Sequence, residues 1–514
     1  MKISVREQNR VYTVTCEAGQ TILEALISHD TYFSACCGGR GICGKCRIRV
    51  TEGSLPVTEA DAGIFSGKEL REGWRLACRA VPETDCAITF NTQDESGFVV
   101  VDVPEKKKTE SKRRENRFGI AIDIGTTTIA MCLVGKKYKE ICSTYSMVNR
   151  QRRYGADVIS RIQASNEGRG AELQKSIRKD LEQGIGELLK AGGVQASQVE
   201  SVVLAGNTTM CHLLLGFSCE GLGVYPFTPV DVGRISRTSW EIFEKTMLSC
   251  PVTLLPGIST YVGGDIVSGI LSSKMAEREE ISLLVDLGTN GEMAVGNKDR
   301  ILVTSTAAGP AFEGGNISCG MGSVPGAICS VKITDGRAEV KTIGDRAPSG
   351  LCGTGVLEAA AELVKEELVD ETGYLDEKYE EGFCLAETSE GAPVCFTRKD
   401  IREVQLAKSA VRAGMEVLLK RYGVTCEQVS QVYLAGGFGY RVDQEKAIAI
   451  GMLSEEFRGR IKAVGNSSLA GAMRCLTDAE AWELTERIVS LSQEISLSGD
   501  KTFNELYMEY MFFE

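Results

Sequence analysis

The sequence predicts a small α+β module followed by an α/β unit of two duplicated lobes. At 514 residues the chain exceeds what one core supports, and three observations divide it. Near the start, Cys36, Cys37, Cys43 and Cys46 crowd into eleven residues, with Cys78 and Cys86 following. Next, the strip 105–117, EKKKTESKRRENR, holds seven basic and three acidic residues and no apolar one. Beyond it, an apolar run entering an Asp-x-Gly-Thr turn occurs twice.

Composition narrows the function classes. With 43% hydrophobic and 25% charged residues the chain has ample material for cores, which excludes global disorder. No stretch approaches about 18 apolar residues, and the opening MKISVREQNR lacks a secretory core, so a cytoplasmic protein without membrane contact is expected. A net charge of −12 opposes a phosphate backbone, so nucleic acid is not an expected partner. Nineteen Cys against two His direct any metal chemistry to thiolate, and the odd count without an export signal argues for reduced thiols. His29 and His212 read as packed residues.

The first 97 residues form one unit. Lys2–Arg6 and Val11–Thr15 alternate like paired strands, and Ile22–Ile27 has helical spacing. Cys37, Cys43, Cys46 and Cys78 give C-x5-C-x2-C…C, four thiolates with three on one tight loop, as two bridged irons require. Gly38, Gly39, Gly41 and Gly44 let backbone N–H groups turn toward the sulfides. Gly39–Gly44 also matches G-x-G-x-x-G, and Gly39–Lys45 the start of a Walker A loop, but Cys46 stands where that loop needs Ser or Thr. Four thiolates also suit zinc, although zinc sites usually come as two C-x2-C knuckles. The arrangement resembles the 2Fe-2S ferredoxin family, with a β-grasp-like fold and the longer spacing of the adrenodoxin branch. Cys36 and Cys86 read as packing residues.

The strip at 105–117 can bury nothing, so 98–117 reads as a charged linker, with a docking strip for an acidic partner as the alternative. After it, Phe118–Asp123 enters Ile124–Thr128 and leaves through Ile129–Val134. The shape recurs 163 residues later, from Leu283 through Asp286, Gly288 and Gly291 to Val295. Val202–Thr209 and Val432–Gly439 share Leu-Ala-Gly in the same order after each hairpin, the mark of an internal duplication. Asp123 to Gly206 spans 83 residues and Asp286 to Gly436 spans 150, so the second copy carries an insertion. Two lobes facing a cleft are expected, at 118–280 and 281–514.

In such hairpins Gly permits close backbone approach, Thr hydroxyls and N–H groups donate to phosphate oxygens, and Asp holds hydrated magnesium. The pair resembles the acetate and sugar kinase/Hsc70/actin superfamily over roughly 118–495, an actin-like ATPase fold that implies ATP and Mg2+. By motif, Asp123, Gly125, Thr126 and Thr127 correspond to its first phosphate loop, and Asp286, Gly288, Thr289, Asn290 and Gly291 to the second. Gly436, Gly437 and Phe438 correspond to the adenosine loop, with a plain β-turn as the bland reading. Gly465–Gly471 reads as a helix start lining the cleft; Ser349–Gly355 reads either as a phosphate-holding helix start or as a plain cap. For the carboxylate that orients the attacking nucleophile, Asp265 comes first and Asp157 and Glu313 are in reserve.

Few chains put a ferredoxin before such an ATPase. Tyr154–Ile162, Leu204–Met210, Asp286–Glu292, Ala308–Gly314 and Asp400–Lys408 resemble the ATP-dependent reductive activators of corrinoid proteins over nearly the whole chain. The resemblance implies one-electron return of cobalt(II) to cobalt(I) on a partner corrinoid protein, an upstream low-potential electron donor, and room for a homodimer. Some members carry a middle domain between linker and ATPase; here the hairpin follows the linker directly, so none is expected. Two other readings stand: an ATP-gated donor to another low-potential enzyme, and a small-molecule kinase, which would have no need of residues 1–97.

Overall fold

The computed structural model describes residues 1–7, 10–29, 31, 39–42, 44–90, 117–137, 139–243, 248–436 and 442–513. They fall into two compact units, the described residues within Met1–Asp94, Asn149–Asp180 and His212–Phe227, and those within Glu95–Val148, Leu181–Cys211 and Thr228–Glu514. Of the expected linker, only Arg117 lies among the described residues.

The first unit opens with strands β1 (Lys2–Glu7) and β2 (Arg10–Thr15), the expected antiparallel pair. With β3 (Arg47–Glu52), β4 (Trp74–Leu76) and β5 (Cys86–Phe90) they form a five-stranded sheet in the order β2-β1-β5-β3-β4. β1 runs parallel to β5, and β3 lies antiparallel to β4 and β5. The helix Ile22–Ser28 buries Ile22, Leu23, Ala25 and Leu26, and begins at a capping box in which Thr21 and Glu24 satisfy each other's backbone N–H. Its core companions are Ile3, Val5, Ile48, Leu76 and Ile88. This mixed sheet with one crossing helix is β-grasp-like. Cys86 is buried in β5, whereas His29 corrects its reading as a packed residue. His29 stands exposed at the helix C-terminus, its Nδ1 3.1 Å from the Ala25 carbonyl.

The second unit contains two six-stranded sheets. In the first, β6 (Phe118–Ile124), β7 (Thr128–Gly135), β8 (Glu140–Val148), β9 (Val199–Gly206), β10 (Ile235–Thr238) and β11 (Pro251–Leu254) lie in the order β10-β11-β9-β6-β7-β8. β12 (Ser282–Leu287), β13 (Gly291–Gly296) and β14 (Ile301–Thr306) begin the second sheet. Before the chain returns to it, β15 (Ala327–Thr334), β16 (Arg337–Thr342) and β17 (Gly350–Leu351) make a three-stranded sheet. β18 (Phe383–Glu387) and β19 (Pro393–Phe396) make a separate hairpin. These strands account for the longer second copy. β20 (Gln431–Ala435), β21 (Ile461–Gly465) and β22 (Ser492–Glu494) then complete the order β21-β20-β12-β13-β14-β22.

Set side by side, β11-β9-β6-β7-β8 and β21-β20-β12-β13-β14 are one topology twice. In each, two antiparallel hairpin partners flank one side of a central strand and parallel strands flank the other. β6 and β12 read as almost unbroken apolar runs because they are buried on both faces. The actin-like duplication is therefore present at the level of strand order.

The helices that close the lobes are exchanged. Gly264–Ser273 follows the last strands of the first sheet and packs on β9 of that sheet and across on β12 and β13 of the second, whereas Ser467–Thr477 follows β21 and packs on β6, β7 and β9. The two helices press together at glycines: a Cβ on Gly471 would stand 2.2 Å from the Ser268 carbonyl oxygen, and one on Gly269 2.9 Å from the Ser467 hydroxyl. Both helix N-termini are thereby brought to the ends of β6 and β12. Among the described residues no helix is long and apolar enough to cross a membrane.

Candidate cluster and nucleotide sites

Cys46 and Cys78 are buried with their sulfurs 3.3 Å apart, beyond covalent S–S distance, so two of the four predicted ligands converge. Several bonds hold them there. Ala77 N–H donates to the Cys46 carbonyl, Leu23 N–H to that of Ala77, and Leu76 N–H to buried Asp61 at 2.7 Å. Gly39, Gly41 and Gly44 have φ of +86°, +79° and +65°, and a Cβ on Gly41 would meet the Arg79 Nε at 2.7 Å. A converging thiol pair beside a left-handed glycine loop fits an iron-sulfur centre. Cys37 and Cys43, the other two predicted ligands, lie outside the described residues, as does Cys36.

The two hairpins are built alike. Gly125 N–H donates to the Thr128 carbonyl at 3.0 Å, and Gly288 N–H to that of Asn290 at 3.1 Å, closing a tight turn after Asp123 and Asp286. A Cβ on Gly125 would strike the Thr128 oxygen at 2.7 Å. At Gly288 an added Cβ would make ordinary contact, 3.7 Å from both the Asn290 carbonyl oxygen and Glu313 Oε1. Thr126 accepts from Asn207 Nδ2 at 3.0 Å, and Asn207 Oδ1 in turn caps Met210 N–H.

Asn466 and its two successors tie both aspartates to one helix end. Asn466 Nδ2 donates to Asp123 Oδ2 at 2.8 Å and Ser468 Oγ to Asp123 Oδ1 at 2.7 Å, while Ser467 Oγ stands 3.5 Å from Asp286 Oδ2. Asp265 opens the exchanged helix Gly264–Ser273, whose start is pressed so closely on the Asn207–Thr208 backbone that a Cβ on Gly263 would lie 2.6 Å from Thr208 N. Asp123, Asp265, Asp286 and Glu292 thus crowd one cleft, each enclosed by protein although the aspartates keep some exposure to it. Burial raises the pKa of Asp123 despite the Ser468 and Asn466 bonds that lower it. Burial, then the neighbouring Asp123 charge, raises Asp265; burial with Asp265 and Asp123 pushes Asp286 up to about 8. Glu292, directly across the ladder from Asp286, is raised by burial and by the Asp265 and Asp286 charges.

Such a set is poised for a cation, whose charge would return the carboxyls to their ionised form. Among the described residues no three His, Cys, Asp or Glu converge tightly enough to ligate an ion directly. Cys211 faces the same carboxyls; burial, Asp265 and Asp123 push its thiol up to about 12, leaving it inert.

Of the remaining sequence-derived residues, Gly436 ends β20 at φ +93°, where a Cβ would meet the Leu287 oxygen at 2.3 Å and Asp286 Oδ1 at 2.8 Å. Gly437 and Phe438 lie outside the described residues. Asp157 is the N-cap of Val158–Ala164, bonded to Ser160, and belongs to the first unit. Glu313 accepts from Thr127 and Thr289. Gly355 abuts the Ile328 carbonyl, a packing reason for the glycine in Ser349–Gly355. His212 is buried edge-on to Phe217. Glu292 escaped the sequence reading; its signal was one carboxylate in the apolar strand GEMAVG, in register with Asp286.

Comparison with known proteins agrees with this geometry. Residues 5–83 match the 2Fe-2S iron-sulfur cluster binding domain, 118–278 the RACo middle region, and 280–514 the C-terminal domain of RACo, the ASKHA domain. The middle region is thus present and carries the first hairpin, correcting the expectation that the chain lacks one. Corrinoid activation enzyme RamQ of Eubacterium limosum is 32% identical over 413 residues, covering 76% of this chain and 69% of RamQ. The Co(II) methylated amine-specific corrinoid protein reductase of Methanosarcina barkeri is 27% identical over 427 residues, covering 76% of each. A solved reductive activator for corrinoid, iron-sulfur protein superposes with TM-score 0.72 at 27% identity, over 100% of this chain and 98% of that one. With a ferredoxin domain, a middle region and an ASKHA domain in that order, the chain belongs to the RACo family of corrinoid-protein reductive activators.

Proposed function

We propose that this protein uses ATP to return one electron to a partner corrinoid protein, reducing cobalt(II) to cobalt(I). The observation that carries the reading is the likeness along the whole chain to a reductive activator. Residues 1–97 would hold a 2Fe-2S cluster on Cys37, Cys43, Cys46 and Cys78, 98–117 would tether it, and the lobes at 118–280 and 281–514 would bind Mg-ATP. Bound to those thiolates, the cluster supplies a one-electron carrier near about −400 mV, filled by an upstream low-potential donor.

The chain's residues supply the rest. Gly125, Thr126 and Thr127 face Gly288, Thr289, Asn290 and Gly291 across the phosphates, with Gly436, Gly437 and Phe438 toward the adenosine. Asp123 and Asp286, steadied by Asn466, Ser467 and Ser468, would hold a magnesium ion that neutralises charge on the phosphates. Asp265, whose raised pKa suits a proton acceptor near neutrality, orients the attacking water. Each ~59 mV by which the acceptor lies below the donor is a tenfold penalty, which ATP offsets by biasing lobe closure between two states so that the transferred electron is trapped. The test is anaerobic mixing of reduced protein with its cobalt(II) corrinoid protein, following cobalt(I) absorbance with and without Mg-ATP. A faster or fuller yield with Mg-ATP is expected; equal rate and yield would overturn the reading.

A further inference from the structure

Glu313, a reserve candidate for orienting the nucleophile, is bonded in this structure to hydroxyls of the two hairpins. It ends the short turn Pro310–Glu313, bounded by Gly309 at φ +78° and Gly314 at φ +77°. Ala311 and Phe312 anchor that turn in the second-lobe core, against the helices Gly353–Lys365 and Arg398–Tyr422. The carboxylate projects from the anchored turn to both hairpins at once. Thr127 Oγ1 donates to Glu313 Oε2 at 2.7 Å, and Thr289 Oγ1 to Oε1 at 3.1 Å and Oε2 at 3.0 Å. Two hydroxyls, one from each lobe, therefore converge on a single anionic oxygen. The other oxygen, Oε1, would lie 3.7 Å from a Cβ on Gly288, so the carboxylate sits beside that backbone.

We propose that Glu313 is a nucleotide-responsive clasp: its carboxylate joins the hairpins through Thr127 and Thr289, and a phosphoryl group entering between them takes both hydroxyls and releases it. The proposal rests on the ATP reading of the cleft. A carboxylate and a phosphoryl oxygen are both acceptor-only anions, so they compete for the same two donors and repel each other at contact distance. Gly309, over which an added Cβ would meet nothing within 4 Å, leaves one end of the turn room to adjust, while Gly314 is packed on the Met321 backbone. Release then frees a turn packed on two long helices of the second lobe, so occupancy of the phosphate site is felt beyond it. Nucleotide without β- or γ-phosphate does not reach the hairpins and leaves the clasp shut.

The test uses the full-length protein with its cluster, kept anaerobic, and titrates Mg-ATP and AMP into wild type, Glu313→Gln and Glu313→Ala by calorimetry. Loss of the competing anion should tighten Mg-ATP roughly tenfold in Glu313→Ala and less in Glu313→Gln, with AMP unchanged. In wild type, Mg-ATP but not AMP should accelerate amide exchange over 310–316, a readout that stands even if a variant folds poorly. Wild type that binds Mg-ATP while exchange over 310–316 is unaltered, or a folded Glu313→Ala with equal or weaker Mg-ATP affinity, overturns the clasp alone. Wild type that binds no Mg-ATP overturns the ATP reading with it.

Discussion

Ser468 donates a 2.7 Å hydrogen bond to Asp123 across 345 positions of sequence. The serine comes from the helix that follows β21 of the second sheet, and the aspartate lies near the end of the central strand of the first. Because neighbouring Ser467 faces Asp286, one helix N-terminus sets the spacing of the two aspartates.

Removing that donor should be visible in the pH profile. Ser468 lowers the Asp123 pKa against burial, and a hydrogen bond to a charged group is worth about 1.5–3 kcal/mol. In Ser468→Ala the acid limb of ATP hydrolysis should move to higher pH, with turnover falling most on the acid side of the profile. An unmoved limb would show that the serine does not hold the charged form.

Asp286 should make the unliganded protein less stable as pH rises. Its folded pKa of about 8 lies above the ordinary 3.8, so the native state holds a proton that the unfolded chain gives up between those values. Stability is thus lost as pH climbs through that window. Asp286→Asn removes the ionisation, and its melting temperature relative to wild type should rise from pH 5 to pH 8, most clearly without magnesium. A pH-independent difference counts against the buried carboxyl.

Cys46→Ser and Cys78→Ser should each lose the visible spectrum, whereas Cys86→Ser, altered in a packed strand, should keep it. Iron and sulfide analysis of the wild type after anaerobic purification should give about two of each per chain. Stoichiometric zinc in a colourless protein would replace the iron-sulfur reading.

Asp123→Ala and Asp286→Ala should abolish ATP hydrolysis with the cluster spectrum intact. Asp265→Asn should lose hydrolysis yet retain nucleotide, separating an orienting carboxylate from those that hold the metal. Full turnover in Asp265→Asn would move the orienting role elsewhere.

The strands were legible because burial on both faces writes continuous apolar runs such as FGIAIDI, and the duplication because both copies repeat Asp-x-Gly-Thr before Leu-Ala-Gly. Glu292 was obscured because a single acid in a strand does not reveal its cross-strand neighbour; register with Asp286 does. Glu313 could be named as a carboxylate in the right loop, but its bonds to Thr127 and Thr289 depend on how two distant hairpins close. His29 was misjudged because the residue just past a helix whose other side is buried can still project into water. Asp157 has a local explanation, since Asp before Val-Ile-Ser is an ordinary cap.

The exchanged closing helices also dictate an order of events on the ribosome. Ala121, Ala130 and Cys132 are covered by Leu469, Ala472 and Leu476, and Gly119 lies so near Leu476 that a Cβ would come within 2.7 Å of it. The first sheet is complete at Leu254, long before the helix Ser467–Thr477 emerges, and at roughly 5–20 residues per second the wait from Leu254 to Thr477 is on the order of tens of seconds. A nascent chain halted before Ser467 therefore presents an open apolar sheet face to holding chaperones, and translation past Thr477 is what releases it.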